Sequence, residues 1–71
     1  MAKIVLRDEY IKLGQALKAA HLADTGVDAK NEILAGKVLV NGSVELQRGK
    51  KLYANDIVTF QGQTIEIVGH E

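Results

Sequence analysis

Hydrophobic positions change their period along this chain, and each change marks a different element. Residues 3–6, Lys-Ile-Val-Leu, form a short run rich in β-branched side chains, which predicts an edge strand. From Tyr10 the spacing lengthens to that of a helix: Tyr10, Leu13, Leu17 and Ala20, with Ala16 between them, fall on one stripe, while Lys12, Gln15 and Ala19 lie opposite. A first amphipathic helix is therefore expected from Tyr10, with Lys12 on its outer face. The stretch Thr25-Gly26-Val27-Asp28 then reads as an N-cap threonine with an acid three positions on. Asp at that place makes the reciprocal half of the capping box weaker than Glu or Gln would. A second helix is predicted over residues 27–35, with Ala29 and Ile33 as its buried pair and Gly36 placed to end it in a left-handed conformation. So short a helix has to be held by packing.

Beyond Gly36 the pattern is that of strands. Asn41-Gly42 stands between two β-branched segments, and a type I′ hairpin turn needs positive φ at both central residues, which this pair supplies. A two-residue loop pairs Leu39 with Val44, whereas simple alternation buries Val38 and Val40 together, and the register stays open at this level. Residues 56–60 and 64–67 make a second hairpin across Gln61-Gly62-Gln63, with Ile65 and Ile67 facing the core and Glu66 facing out. The order is strand, two helices, then four strands. It predicts an α+β domain with both helices on one side of a small antiparallel sheet and a short N-terminal strand.

Composition narrows what such a domain does. With 71 residues the chain is expected to be one domain, residues 1–71, and one so short buries only about 60% of its extended surface, which leaves little room for a deep active site. Cysteine is absent, so there is no disulfide framework, thiolate nucleophile or Cys-based metal site. No apolar run approaches the roughly 20 residues that cross a bilayer, and the charged opening residues lack the core of a signal peptide. A soluble, cytoplasmic, unprocessed protein is expected. His21 stands at the carbonyl end of the first helix and His70 in the tail, and neither has a catalytic neighbour. Asp8-Glu9 and the pair Asp24 and Asp28 form no calcium-loop pattern. No catalytic residue, metal ligand or cofactor is predicted, and the chain is not expected to be an enzyme. Two Tyr, one Phe and no Trp also speak against a stacking platform for single strands.

Charge carries the functional signal. Nine basic and nine acidic residues cancel, so binding to a polyanion requires the charges to be segregated. Arg48, Lys50 and Lys51 crowd around Gly49, with no acid in sequence nearer than Glu45 and Asp56. Lys30 falls beside Ile33 and Leu34 on a helical wheel, where a lysine has to snorkel along apolar surface or serve a ligand. A helix N-terminus offers unpaired N–H groups and partial positive charge, so Thr25 and Gly26 make a phosphate seat. Acids are expected to gather on the opposite surface.

The ordered set Ile11-Lys12-Leu13, Leu17-Lys18, Thr25-Gly26 with Ala29-Lys30, Gly36-x-Val38-x-Val40-Asn41-Gly42, Arg48-Gly49-Lys50-Lys51-Leu52 and Asp56-x-Val58 resembles the S4-like RNA-binding domain. It is most similar to the small stand-alone bacterial members of the YaaA/YbcJ-like type, over about residues 10–68. It departs from the broader pattern at Gly14, where an acid is usual, at Gly26-Val27, where arginines are common, and at Asn55, which replaces a glycine. The resemblance implies the two-helix-plus-sheet α-L fold and binding of structured, commonly ribosomal, RNA. On that footing Lys12, Lys30, Arg48, Lys50 and Lys51 are expected to neutralise phosphates and Thr25 and Gly26 to offer hydrogen bonds. Gln15 and Lys18 contribute at the margin, and Asn41 is first a turn residue. The partner is then RNA, the protein a monomer, and no membrane is involved. The competing reading is an adaptor whose basic loop docks an acidic protein surface.

Overall fold

A computed structural model describes residues 2–69. Their order is β1 (Ala2–Val5), β2 (Ile11–Lys12), α1 (Leu13–Ala19), α2 (Gly26–Leu34), β3 (Val38–Val40), β4 (Ser43–Val44), β5 (Lys51–Leu52), β6 (Ile57–Phe60) and β7 (Gln63–Val68). His70, placed by the sequence in a tail, lies outside the described residues.

The expected architecture is present: two helices and a sheet of mainly antiparallel strands, in the order β1-β7-β6-β3-β4. The N-terminal strand lies at an edge as predicted, and it runs parallel to β7, with Ala2 opposite Ile65 and Val5 opposite Val68. Alternation along β7 sends Ile65 and Ile67 into the core, joined from the neighbouring strands by Val38, Val40, Val58 and Phe60. The helices contribute Leu13, Ala16 and Leu17 from α1 and Ala29 and Ile33 from α2 to the same apolar cluster. Burial of both helix stripes against one face of the sheet is what holds two helices too short to persist alone.

The hairpin register resolves without conflict. Leu39 pairs with Val44 and Val40 with Ser43, while Val38 and Val40, two apart, share the buried face. Asn41 and Gly42 take φ of 51° and 84°, as a type I′ turn requires. The second hairpin turns on Gln61 and Gly62 alone, with φ of 51° and 76°, and Gln63 belongs to β7 opposite Phe60. The turn is thus shorter than the three-residue loop expected.

The first helix starts later than its periodicity implies. Ile11 and Lys12 are extended and pair antiparallel with Leu52 and Lys51, forming a separate two-stranded sheet. Lys12 therefore sits at the N-cap of α1 rather than on its outer face. The reason is tertiary: Ile11 packs at the margin of the core, and its partner Leu52 is fully buried, so the stripe read as helical is supplied here by an extended segment. No helix among the described residues is long and apolar enough to cross a membrane.

Candidate functional site

The two helix N-termini differ in how their free N–H groups are satisfied. At α1, the Lys12 N–H donates to Gln15 Oε1 at 3.2 Å. The Leu13 N–H donates to the Lys50 carbonyl at 2.9 Å and the Gly14 N–H to the Arg48 carbonyl at 3.0 Å. The basic loop is therefore fastened to the start of α1, and its own carbonyls occupy the place an anion would take. At α2, Thr25 Oγ1 accepts from the Asp28 N–H at 3.1 Å and the Thr25 carbonyl from Ala29 at 3.0 Å. The N–H groups of Gly26 and Val27 have no partner among the described residues, and a Cβ placed on Gly26 would meet nothing within 4 Å. That end remains open to solvent, with the partial positive charge of a helix start.

Fastening the loop to α1 builds a groove of about 320 Å³, lined by Lys12, Gly14, Gln15, Lys18, Gly26, Arg48 and Gly49. Its walls come from the start and outer face of α1, the start of α2 and the basic loop. All the charged residues that line it are cationic. Among the described residues the ion pair is Lys37 with Glu32 at 3.7 Å, so no carboxylate there lies within salt-bridge distance of Lys12, Lys18 or Arg48. Three cations on one groove without a counter-ion repel one another, and an anion bound among them removes that repulsion.

Of the residues singled out in the sequence, Lys12, Gln15, Lys18, Gly26 and Arg48 meet in this groove. Thr25 caps the start of α2 beside it. Lys30 is exposed on α2 and does not line the groove; the exposed Val27 and Leu34, three residues before it and four after, leave apolar surface beside it along which its stem can lie. Lys50 and Lys51 line a different groove of about 400 Å³ with Asn41, Ser43, Glu45, Tyr53 and Asp56, among others. The two acids that flank the basic loop in sequence, Glu45 and Asp56, are thus also neighbours of Lys50 and Lys51 in space. Asn41 is engaged at both ends of its amide, donating to Asp56 Oδ1 at 3.1 Å and accepting from the Ile57 N–H at 2.9 Å.

The expected separation of charge is local rather than global. Asp24, Asp28 and Glu32 line a groove of their own with Phe60 and Gln61. Asp8 and Glu9, however, share one with Tyr10, Lys12 and Gln15, so acids border the cationic groove on one side.

Sequence reasoning missed an aromatic pair. Tyr10 and Tyr53 lie with ring centroids 6.0 Å apart at 52°, and Lys51 Nζ stands 4.8 Å from the centre of the Tyr10 ring. The paucity of aromatics spoke against a stacking platform for single strands, yet Tyr53 is 48% exposed. A signal existed: Tyr-Ile-Lys at 10–12 is mirrored by Lys-Leu-Tyr at 51–53, and only antiparallel pairing brings like residues together in that way.

Residues 4–68 match the model of the S4 domain, and the chain belongs to that family. Among curated relatives, the "Probable ribosome maturation protein RlbA" of Bacillus subtilis (strain 168) is 41% identical over 59 residues, which span 83% of each chain. The "Putative RNA-binding protein YbcJ" of Escherichia coli (strain K12) is 32% identical over 59 residues, or 83% of this chain and 84% of that one. The solution structure of YbcJ, described as revealing an alpha-L motif involved in RNA binding, superposes with a TM-score of 0.73 at 32% identity, covering 96% of this chain and 87% of that one.

Proposed function

We propose that this chain is a non-enzymatic module that binds structured RNA by its phosphates. The observation that carries the proposal is the groove in which Lys12, Lys18 and Arg48 surround the open N-terminus of α2 at Gly26 with no acid in its walls. Two phosphates of one backbone, spaced several ångströms apart, suit such a groove: one meets the Gly26 and Val27 N–H groups, the next the mobile cations. The major groove of an A-form helix is too narrow for side chains, so recognition of this kind reads the shape of a folded RNA through phosphates and 2′-hydroxyls. The description of YbcJ as RNA-binding supports the same ligand class, and the name of the Bacillus relative points to ribosomal RNA as the first RNA to try. A cytoplasmic monomer is the matching state. Lys30, Lys50 and Lys51 are assigned an outer role, adding positive potential without lining the groove.

The reading is tested by fluorescence anisotropy of a labelled ribosomal RNA stem–loop. Lys18→Glu/Arg48→Glu is expected to weaken binding by about 10-fold or more, and Lys30→Glu by about 3-fold at most, with circular dichroism confirming that both fold. Affinity unchanged in the double variant would remove the groove from the mechanism.

A further inference from the structure

The two-stranded sheet has a second face that the phosphate groove does not use. Ile11 pairs with Leu52 and Lys12 with Lys51, and the same register carried one residue further sets Tyr10 opposite Tyr53. Alternation turns Ile11 and Leu52 toward the core, which leaves Tyr10, Lys12, Lys51 and Tyr53 together on the outer side. Like charges directly across a ladder are unfavourable, and Lys12 opposite Lys51 is offset within the fold by the Tyr10 ring under Lys51 and by acids that share their grooves without forming an ion pair with either lysine. An anion between them would remove what repulsion is left.

Tyr53 is exposed and yet held. Its N–H donates to Asp56 Oδ2 at 2.7 Å, its carbonyl accepts from the Asp56 N–H at 3.1 Å, and its ring rests against Tyr10, which Lys51 covers in turn. Holding an aromatic ring at the surface in this way removes much of the ordering cost of stacking something on it. The surface is also continuous with the proposed binding site, because Lys12 and Gln15 line both the cationic groove and the groove of about 610 Å³ that contains Tyr10. On the other side, Lys51 and Tyr53 border an open groove of about 400 Å³ together with Asn41, Glu45 and Asp56.

We infer that the Tyr10–Tyr53 pair is a stacking shelf for one unpaired nucleotide of RNA, its phosphate lying between Lys12 and Lys51. The inference rests on the phosphate groove proposed above and narrows its ligand to a helix interrupted by a bulge or bordered by a loop, because a fully paired duplex has no base free to reach Tyr53. Base–aromatic stacking is tolerant of sequence, so the shelf confers preference for a structural context rather than for a particular base.

The full-length chain is tested against two RNAs: a blunt duplex, and the same duplex with a single bulged nucleotide carrying 2-aminopurine. The bulged RNA is expected to bind about 5- to 100-fold tighter, with quenching of the 2-aminopurine. Tyr53→Ala abolishes both the preference and the quenching and leaves blunt-duplex affinity unchanged. Tyr53→Leu, which keeps apolar bulk at the site, also loses the preference, whereas Tyr53→Phe retains it. Equal affinity of the natural chain for the two RNAs overturns the shelf, as does a preference that survives Tyr53→Ala. In either case a loss of binding to both RNAs in Lys18→Glu/Arg48→Glu leaves the phosphate groove standing, while failure of the natural chain to bind either RNA overturns both.

Discussion

His21 closes α1 at φ 60°, a left-handed conformation that costs an ordinary side chain about 1 kcal/mol or more. It is held there by a pair of backbone bonds, His21 N–H to the Lys18 carbonyl at 3.0 Å and Leu22 N–H to the Leu17 carbonyl at 2.9 Å. This is the Schellman arrangement, and α2 ends the same way through Gly36 and Lys37, with glycine in the strained place. The difference predicts that His21→Gly stabilises the domain by about 0.5 to 1 kcal/mol, raising Tm by roughly 2 to 8 °C in a thermal melt. The imidazole is exposed, so nothing is lost from the core. Gly36 and Asn41 were legible at this scale because their residue types state the backbone angle they serve. Asn55, at φ 79°, was legible as a tolerated substitute for glycine. His21 was not, since histidine carries no such statement and only the fold imposes the angle.

At the scale of elements, the two helix starts make opposite predictions for their backbone amides. The Leu13 and Gly14 N–H groups are bonded to the carbonyls of the basic loop, whereas those of Gly26 and Val27 are open. Native-state hydrogen exchange should therefore show Leu13 and Gly14 protected and Gly26 and Val27 exchanging fast. Adding RNA should slow the second pair selectively. Rapid exchange at Leu13 and Gly14 would mean that the loop is not fastened to α1 and that the groove does not persist in solution. The cap of α2 was readable because Thr25, Asp28 and Gly36 act within one or two turns of their own positions. The start of α1 was misjudged because the extended state of Ile11 and Lys12 depends on Lys51 and Leu52, which are remote in sequence.

For the whole molecule, of extent 34 × 22 × 18 Å, net charge is a poor guide to binding. Nine cations and nine anions cancel in the sum, but the groove is a local field of Lys12, Lys18 and Arg48. Since each phosphate neutralised releases close to one counter-ion, log affinity for an RNA helix should fall with log salt at a slope between about −2 and −4. Lys18→Gln/Arg48→Gln should make that slope shallower by about 2 in a titration from low to moderate salt. A slope unaffected by the double variant would place the phosphate contacts elsewhere on the surface. Because acids border the groove at Asp8 and Glu9 and surround Lys50 and Lys51, the slope should stay well below what all nine cations would give.

The chain's own pattern determined the α+β class, both hairpins, the cap of the second helix and the basic loop, for each depends on residues within a few positions of one another. What the tertiary structure alone decided is which of the cations share a groove. Lys12 joins Lys18 and Arg48 there because a two-residue ladder ties the entry of α1 to the basic loop. Lys50 and Lys51 part from Arg48 because the chain turns into β5 between them. The same ladder sets Tyr10 against Tyr53. Local propensity sees neither outcome, since pairing across a ladder is set by burial of Ile11 and Leu52 in the common core.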